Sequence, residues 1–155
     1  MSRTLPSLLH ATAARIPDRR FLLWIDPSDP DGPPRSATYG QFETEIRCAM
    51  RCLKDAGVGA GDRVLVLGEN SPAWQAVSLA AQTLRAEHAA LFAQLDDAQV
   101  VDLARRIEPK ALFVSTREQW RKLLPELESL RELRLVISVD EELDVPPRLR
   151  TATYR

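Results

Sequence analysis

The sequence predicts an α/β fold, a doubly wound parallel sheet with flanking helices, preceded by an N-terminal helix and a short hairpin. Four short apolar runs begin near Arg63, Ala89, Ala111 and Leu133, each unbroken enough for a strand covered on both faces. Helical patterns separate them, which is the order that crossover connections require. Residues 62–92, DRVLVLGENSPAWQAVSLAAQTLRAEHAALF, read as one complete strand, helix and strand. A unit of this size is parallel and right-handed.

Each element follows from local pattern. Leu5, Leu8, Leu9, Thr12 and Ile16 share one face of a helix over residues 4–16, with Thr4 as cap and Pro17 as stop. Residues 21–25 form a strand, and 26–34, DPSDPDGPP, form a loop too rich in turn residues for regular structure. Residues 36–39 are extended again, so 21–39 make a hairpin with a long tip. Over residues 40–56, Phe42, Ile46, Ala49, Met50 and Leu53 keep helical spacing, while Glu43, Arg47, Arg51 and Asp55 build a charge ladder on the solvent side. Gly57 then supplies a left-handed cap. The glycines of GVGAG, residues 57–61, end a helix and lead into a strand, the reverse of a dinucleotide fingerprint, so they predict a turn.

In the central unit, residues 64–67 are a buried strand. Asn70, Ser71 and Pro72 start a helix whose apolar stripe is Trp74, Val77, Ala81 and Leu84. Residues 89–92 return as a second buried run. Asp96 or Asp97 caps a helix bearing Val100, Val101, Ala104 and Ile107, ended by Pro109, and 111–114 is another buried strand. Ser115 with Glu118 forms a capping-box pattern for a helix carrying Trp120, Leu123, Leu124 and Leu127, which Pro125 breaks. Residues 133–139 are a further strand. The acidic, proline-rich stretch that follows and the last eight residues show no terminating logic, so 140–155 reads as a loose tail on a single domain spanning 1–155.

Composition bounds the function. The 155 residues suit one ordinary domain, and 45% hydrophobic with 28% charged residues indicates a globular chain. A net charge of −1 from 21 basic and 22 acidic residues gives no pull toward nucleic acid or anionic membrane. No run reaches the roughly 20 apolar residues of a membrane span, and the N-terminus lacks the core of a secretory signal, so the expected compartment is the cytoplasm. Cys48 and Cys52, one helical turn apart, make a poor disulfide, and His10 and His88 are the only histidines that could complete a zinc site with them.

In such a sheet, ligands gather beyond the carboxyl ends of the strands, at residues 68–71, 93–97, 115–117 and 140–144. Asn70 could orient a ligand there, but a role in the helix start is the plainer reading. His88 and its neighbour Glu87 point to opposite faces of a strand and form no dyad. Asp96 and Asp97 lie at a helix start, where the dipole favours carboxylates, and lack the phosphate partner that a magnesium site requires. The three lysines, Lys54, Lys110 and Lys122, flank helices or strands. No Walker loop, nucleophile elbow or zinc spacing occurs. The sequence therefore assigns no catalytic, cofactor-binding or metal residue.

Three segments carry a family resemblance: TLPSLLHATAARIPDRRFLL, then ATYGQFETEIRCAMRCLKDAGVGAGDRVLVLGENSPAWQAVSLAAQTLRAEHAALF, then IEPKALFVST. Thr38-Tyr39, the turn and strand from Gly57 through Gly61-Asp62-Arg63-Val64, and Asn70-Ser71-Pro72 with Trp74 occur in order and spacing. Over roughly residues 4–116 the chain resembles the N-terminal part of the adenylate-forming (AMP-binding) enzymes, most like long-chain fatty acyl-CoA synthetases. The resemblance implies a parent activity in which ATP adenylates a carboxylate and the acyl group passes to coenzyme A, with magnesium. The phosphate loop rich in Ser, Thr and Gly, the adenine- and ribose-contacting motifs and the C-terminal catalytic lysine of that family are not in this chain. Where the family commonly has a glycine-containing segment leading to a proline, this chain has residues 85–92, RAEHAALF.

The expectation is thus an N-terminal fragment of an acyl-CoA synthetase that is not catalytically competent alone and binds no cofactor alone, ATP, Mg and CoA belonging to the full enzyme. Its expected partner is the remainder of the ligase, or another chain covering the exposed sheet face. The alternatives are a free-standing interaction or regulatory protein derived from such a ligase, and an unrelated small nucleotide-binding or receiver-like domain.

Overall fold

A computed structural model describes residues 4–139 and 143–154. Helix α1, Leu5–Arg15, opens the chain, and the hairpin of β1, Arg20–Trp24, and β2, Arg35–Thr38, leads into α2, Tyr39–Asp55. The main sheet then alternates with helices: β3 Arg63–Leu67, α3 Pro72–Thr83, β4 Glu87–Leu91, α4 Asp97–Ile107, β5 Ala111–Val114 and α5 Arg117–Leu123. A single 3-10 turn, Leu124–Glu126, precedes β6 Leu135–Val139 and β7 Arg150–Tyr154. The five strands lie in the order β4-β3-β5-β6-β7, and each neighbouring pair is parallel.

Alternation along β3 explains the layering. Val64 and Val66 enter one core with Phe42, Leu53 and Val77 of α2 and α3. Leu65 and Leu67 enter the other with Val100, Ala104, Trp120 and Leu123 of α4 and α5. All four strand residues are fully buried. The reversal of strand order between β3 and β5 puts α3 on one face and α5 on the other, which is the doubly wound arrangement.

Caps set the boundaries. Thr4, Thr38, Ser71, Asp96 and Thr116 are the N-caps of the five helices, each accepting from a backbone amide three residues on. At the start of α5 the cap is Thr116 with Gln119, not Ser115 with Glu118 as the sequence predicts. The Gln119 Oε1 accepts from both the Ser115 and Thr116 amides at 2.9 and 3.3 Å, so a glutamine fills the role allotted to the glutamate. Beyond α2, the Val58 amide donates to the Leu53 carbonyl and the Gly57 amide to the Lys54 carbonyl, a Schellman closure with Gly57 at φ +78. Helix α3 ends the same way, through Ala86 to Ala81 and Arg85 to Gln82, but the left-handed residue is Arg85 at φ +62.

Several sequence expectations change in three dimensions. The sequence predicts residues 89–92 as a buried run. Instead β4 is an edge strand paired only with β3, and Phe92, just beyond it, is 77% exposed. The apolar face expected for α1 is turned partly outward: Leu9 and Ala13 are buried, whereas Leu5 and Leu8 are exposed. Leu124 likewise faces solvent. The segment expected as a loose tail contains β7, which pairs with β6 from Leu135↔Arg150 to Val139↔Tyr154. Arg148 bonds the Leu127 and Leu133 carbonyls, Arg150 bonds the Asp55 carbonyl, and Tyr154 bonds Glu45. These anchors come from distant parts of the chain and leave no local signature.

A non-glycine residue in the left-handed region costs on the order of 1 kcal/mol. Arg85→Gly should therefore raise the stability of the chain by about 1 kcal/mol, read as a higher urea midpoint with an unchanged slope.

Candidate functional site

The natural place for a ligand is the rim beyond the carboxyl ends of β3, β4 and β5. At the point where the strand order reverses, the rim is closed. A Cβ built on Gly68 would lie 1.9 Å from Ser115 Oγ, so β3 and β5 leave each other in direct contact there. Ser115 donates its amide to Leu67 O at 3.2 Å, and the Gln119 amide oxygen caps the turn above it. Ser115 Oγ itself is buried with no hydrogen-bond partner, a cost of about 1–3 kcal/mol for one hydroxyl.

The open space lies to the β4 side. A cavity of about 380 Å³ is lined by Gly68, Glu69, Asn70, Trp74 and residues 90–94. Asn70 lines this cavity and is not the cap of α3; Ser71 is, accepting from the Trp74 amide at 3.1 Å. Beneath the cavity, Trp74 meets His88 edge-on at 5.5 Å between ring centroids, and His88 Nε2 is 2.9 Å from Ser78 Oγ. Ser78 donates its hydroxyl proton to the Trp74 carbonyl at 2.7 Å, so the imidazole must be the donor to Ser78. Buried and already donating, Ser78 is no nucleophile. Glu87 is exposed and takes no part, in keeping with opposite faces of one strand.

The remaining sequence candidates have structural work. Asp96 caps α4, accepting from Gln99 N at 2.8 Å, and Asp97 pairs with Lys122 at 3.2 Å. Lys122 also bonds the Leu95 carbonyl, tying the loop after β4 to α5. In the glycine turn, Asp62 Oδ2 accepts from Gly59 N at 2.7 Å and from Lys110 at 3.0 Å. Burial pulls the Asp62 carboxyl upward, but these two donors outweigh it and hold the pKa below its ordinary value. The amide that a phosphate would need is thus occupied by a carboxylate. Cys48 and Cys52 are free thiols. Among the described residues no group of three His, Cys, Asp or Glu could hold a metal ion, and no helix is long and apolar enough to cross a membrane. Of the predicted rim, residues 140–142 lie outside the described residues. The sequence places residues 68–71 and 93–97 at this rim; what it misses is that Trp74 and residues 90–92 complete one cavity with them, through the edge position of β4.

The match to AMP-binding enzymes runs over residues 9–153, nearly the whole chain. This chain belongs to the AMP-binding enzyme family. It is 28% identical over 142 residues to an acetyl-coenzyme A synthetase of Rhodopirellula baltica, covering 89% of this chain and 20% of that protein. The acetoacetyl-CoA synthetase of Streptomyces lividans superposes with a TM-score of 0.79 at 20% identity, over 96% of this chain and 24% of the other. A putative long-chain-fatty-acid CoA ligase of Rhodopseudomonas palustris gives 0.78 at 18% identity, over 96% and 35%. The chain therefore corresponds to the N-terminal region of this family of ligases and spans about a fifth to a third of the length of these relatives.

The family's ATP and magnesium do not fit the residues present. The paired carboxylates at the start of α4 are spent on a cap and an ion pair, and the glycine turn is closed by its own aspartate.

Two outcomes test this geometry. Gly68→Ala should destabilise the chain by about 1–3 kcal/mol, as overpacking does, and Ser115→Gly in the same molecule should recover part of the loss in urea unfolding, the strain of a side chain at φ +154 remaining. His88 titrates below its ordinary value of 6.5 because burial disfavours the imidazolium. The unfolded chain accordingly takes up the proton first, so stability present at neutral pH is lost as pH falls through 6.5. Between pH 7.5 and 5.5, wild type should lose more stability than His88→Gln, which keeps a donor for Ser78 and does not titrate.

Proposed function

We propose that this chain is the N-terminal scaffold of an ATP-dependent acyl-CoA synthetase and does not adenylate a carboxylate by itself. The observation that carries the reading is the rim of the sheet, where Asp96 is spent on the cap of α4, Asp97 on Lys122, and the Ser115 and Thr116 amides on Gln119. The ATP, magnesium and coenzyme A of the parent reaction would be held by further chain. A long-chain fatty acid is the proposed substrate class of the whole enzyme; it rests on the pattern of residues 38–74, in company with a fold neighbour named as a putative long-chain ligase. The proposed compartment is the cytoplasm.

The proposed partner is the remainder of such a ligase, in the same or another chain. Leu5, Leu8, Leu23, Ile25 and Phe92 are exposed large apolar side chains, which a covering chain would remove from water. The same exposure favours a second reading, an interaction protein derived from a ligase.

ATP–pyrophosphate exchange separates these readings from an independent catalyst. With the purified chain, magnesium and fatty acids of several lengths, exchange should not rise above the protein-free blank. Exchange in proportion to protein concentration would overturn the scaffold reading.

A further inference from the structure

We propose that Cys48 and Cys52 form a two-thiol site for a thiophilic centre, a soft univalent cation or a trivalent arsenical, at the mouth of the apolar groove between α2 and the strands β6 and β7. The site is independent of the ligase reading. Both cysteines line one groove of about 280 Å³, together with Ala49, Ile137, Ala152 and Tyr154. Residues four apart on a helix stand one above the other with Cβ atoms roughly 5–6 Å apart. Cys48 is exposed and Cys52 half-buried, so the pair spans the groove from its lip to its wall.

Cys48 and Cys52 of α2 and Tyr154 of β7 line this same groove. Glu45, a carboxylate lining this groove, is engaged by the Tyr154 hydroxyl. Among the described residues no third metal ligand joins the two thiols. Zinc, which takes four ligands in structural sites, is therefore poorly served. Soft centres that favour thiolate sulfur are served better, because two sulfurs satisfy them. The apolar floor of Ala49, Ile137 and Ala152 suits a hydrophobic substituent on the bound centre.

The chemistry balances without an oxidant. With an aryl arsine oxide, two S–H bonds break, two As–S bonds form, and the oxide oxygen leaves with both protons as one water; arsenic stays trivalent. With silver(I), two S–Ag bonds form and both protons go to solvent.

Titration of the reduced chain with phenylarsine oxide tests the site, followed by native mass spectrometry and a count of remaining thiols. One equivalent should bind and remove both thiols from reaction. Cys48→Ser and Cys52→Ser should each weaken binding roughly tenfold or more, since the second bond is then no longer intramolecular. Silver(I) should bind once per chain with the same dependence. Ala152→Leu, which narrows the groove, should weaken the aryl arsenical and leave silver(I) unchanged. Either serine variant binding as tightly as wild type would overturn the site. An arsenical affinity unmoved by Ala152→Leu would overturn the role of the groove. Cys48 is exposed, so Cys48→Ser keeps its fold and decides the question even if Cys52→Ser does not.

Discussion

Strand β3 is the constraint on which the molecule depends. Its residues Val64, Leu65, Val66 and Leu67 are fully buried and alternate between the two cores, as Ala111, Leu112, Phe113 and Val114 of the neighbouring β5 also do. Apolar side chains of this size contribute about 1.5–3 kcal/mol each when buried. The strand is also gripped at both ends. Asp62 precedes it, joined to Gly59 and Lys110, and Gly68 follows it in contact with Ser115. Each grip joins β3 to the strand beside it, since Lys110 and Ser115 flank β5. The centre of the sheet is thus built by packing along β3 and by polar and steric contacts at its ends.

That arrangement decides where a ligand could go. In many doubly wound sheets the reversal of strand order opens a crevice. Here Gly68, Ser115 and Gln119 close it, and the free volume moves to the β4 edge, beside Trp74 and Phe92. Along the rim Asp96 is engaged by Gln99, Asp97 by Lys122, and the Ser115 and Thr116 amides by Gln119. Hydrogen bonds of this kind position helices and loops. They hold together the N-terminal region of the AMP-binding family.

The second region of interest lies at the opposite edge. Strand β7 is held by Arg150 to the C-terminal end of α2 and by Tyr154 to Glu45 in its first half, so it runs alongside that helix. Burial and the Glu45 carboxylate together push the Tyr154 phenol well above its ordinary range, keeping it a neutral donor. The groove left between helix and strands is what brings Cys48 and Cys52 into a shared apolar setting.

The sequence by itself determined the elements and most of their ends. Capping by Thr4, the helix start at Ser71-Pro72, the stripe of Phe42, Ile46 and Leu53, the turn at Gly57 and the parallel unit around β3 are all legible, because each is written in adjacent residues or in an unbroken periodic run. The family was legible for the same reason, as an ordered series of such local signatures. Only the tertiary structure decided that β4 lies at an edge with Phe92 in water, that Arg150–Tyr154 completes the sheet, that Leu5 and Leu8 face outward, and that the cavity sits beside rather than at the strand reversal. Strand order and edge position follow from which hydrogen-bonding rows remain unpaired after all the others are placed. No local pattern of side chains carries that information.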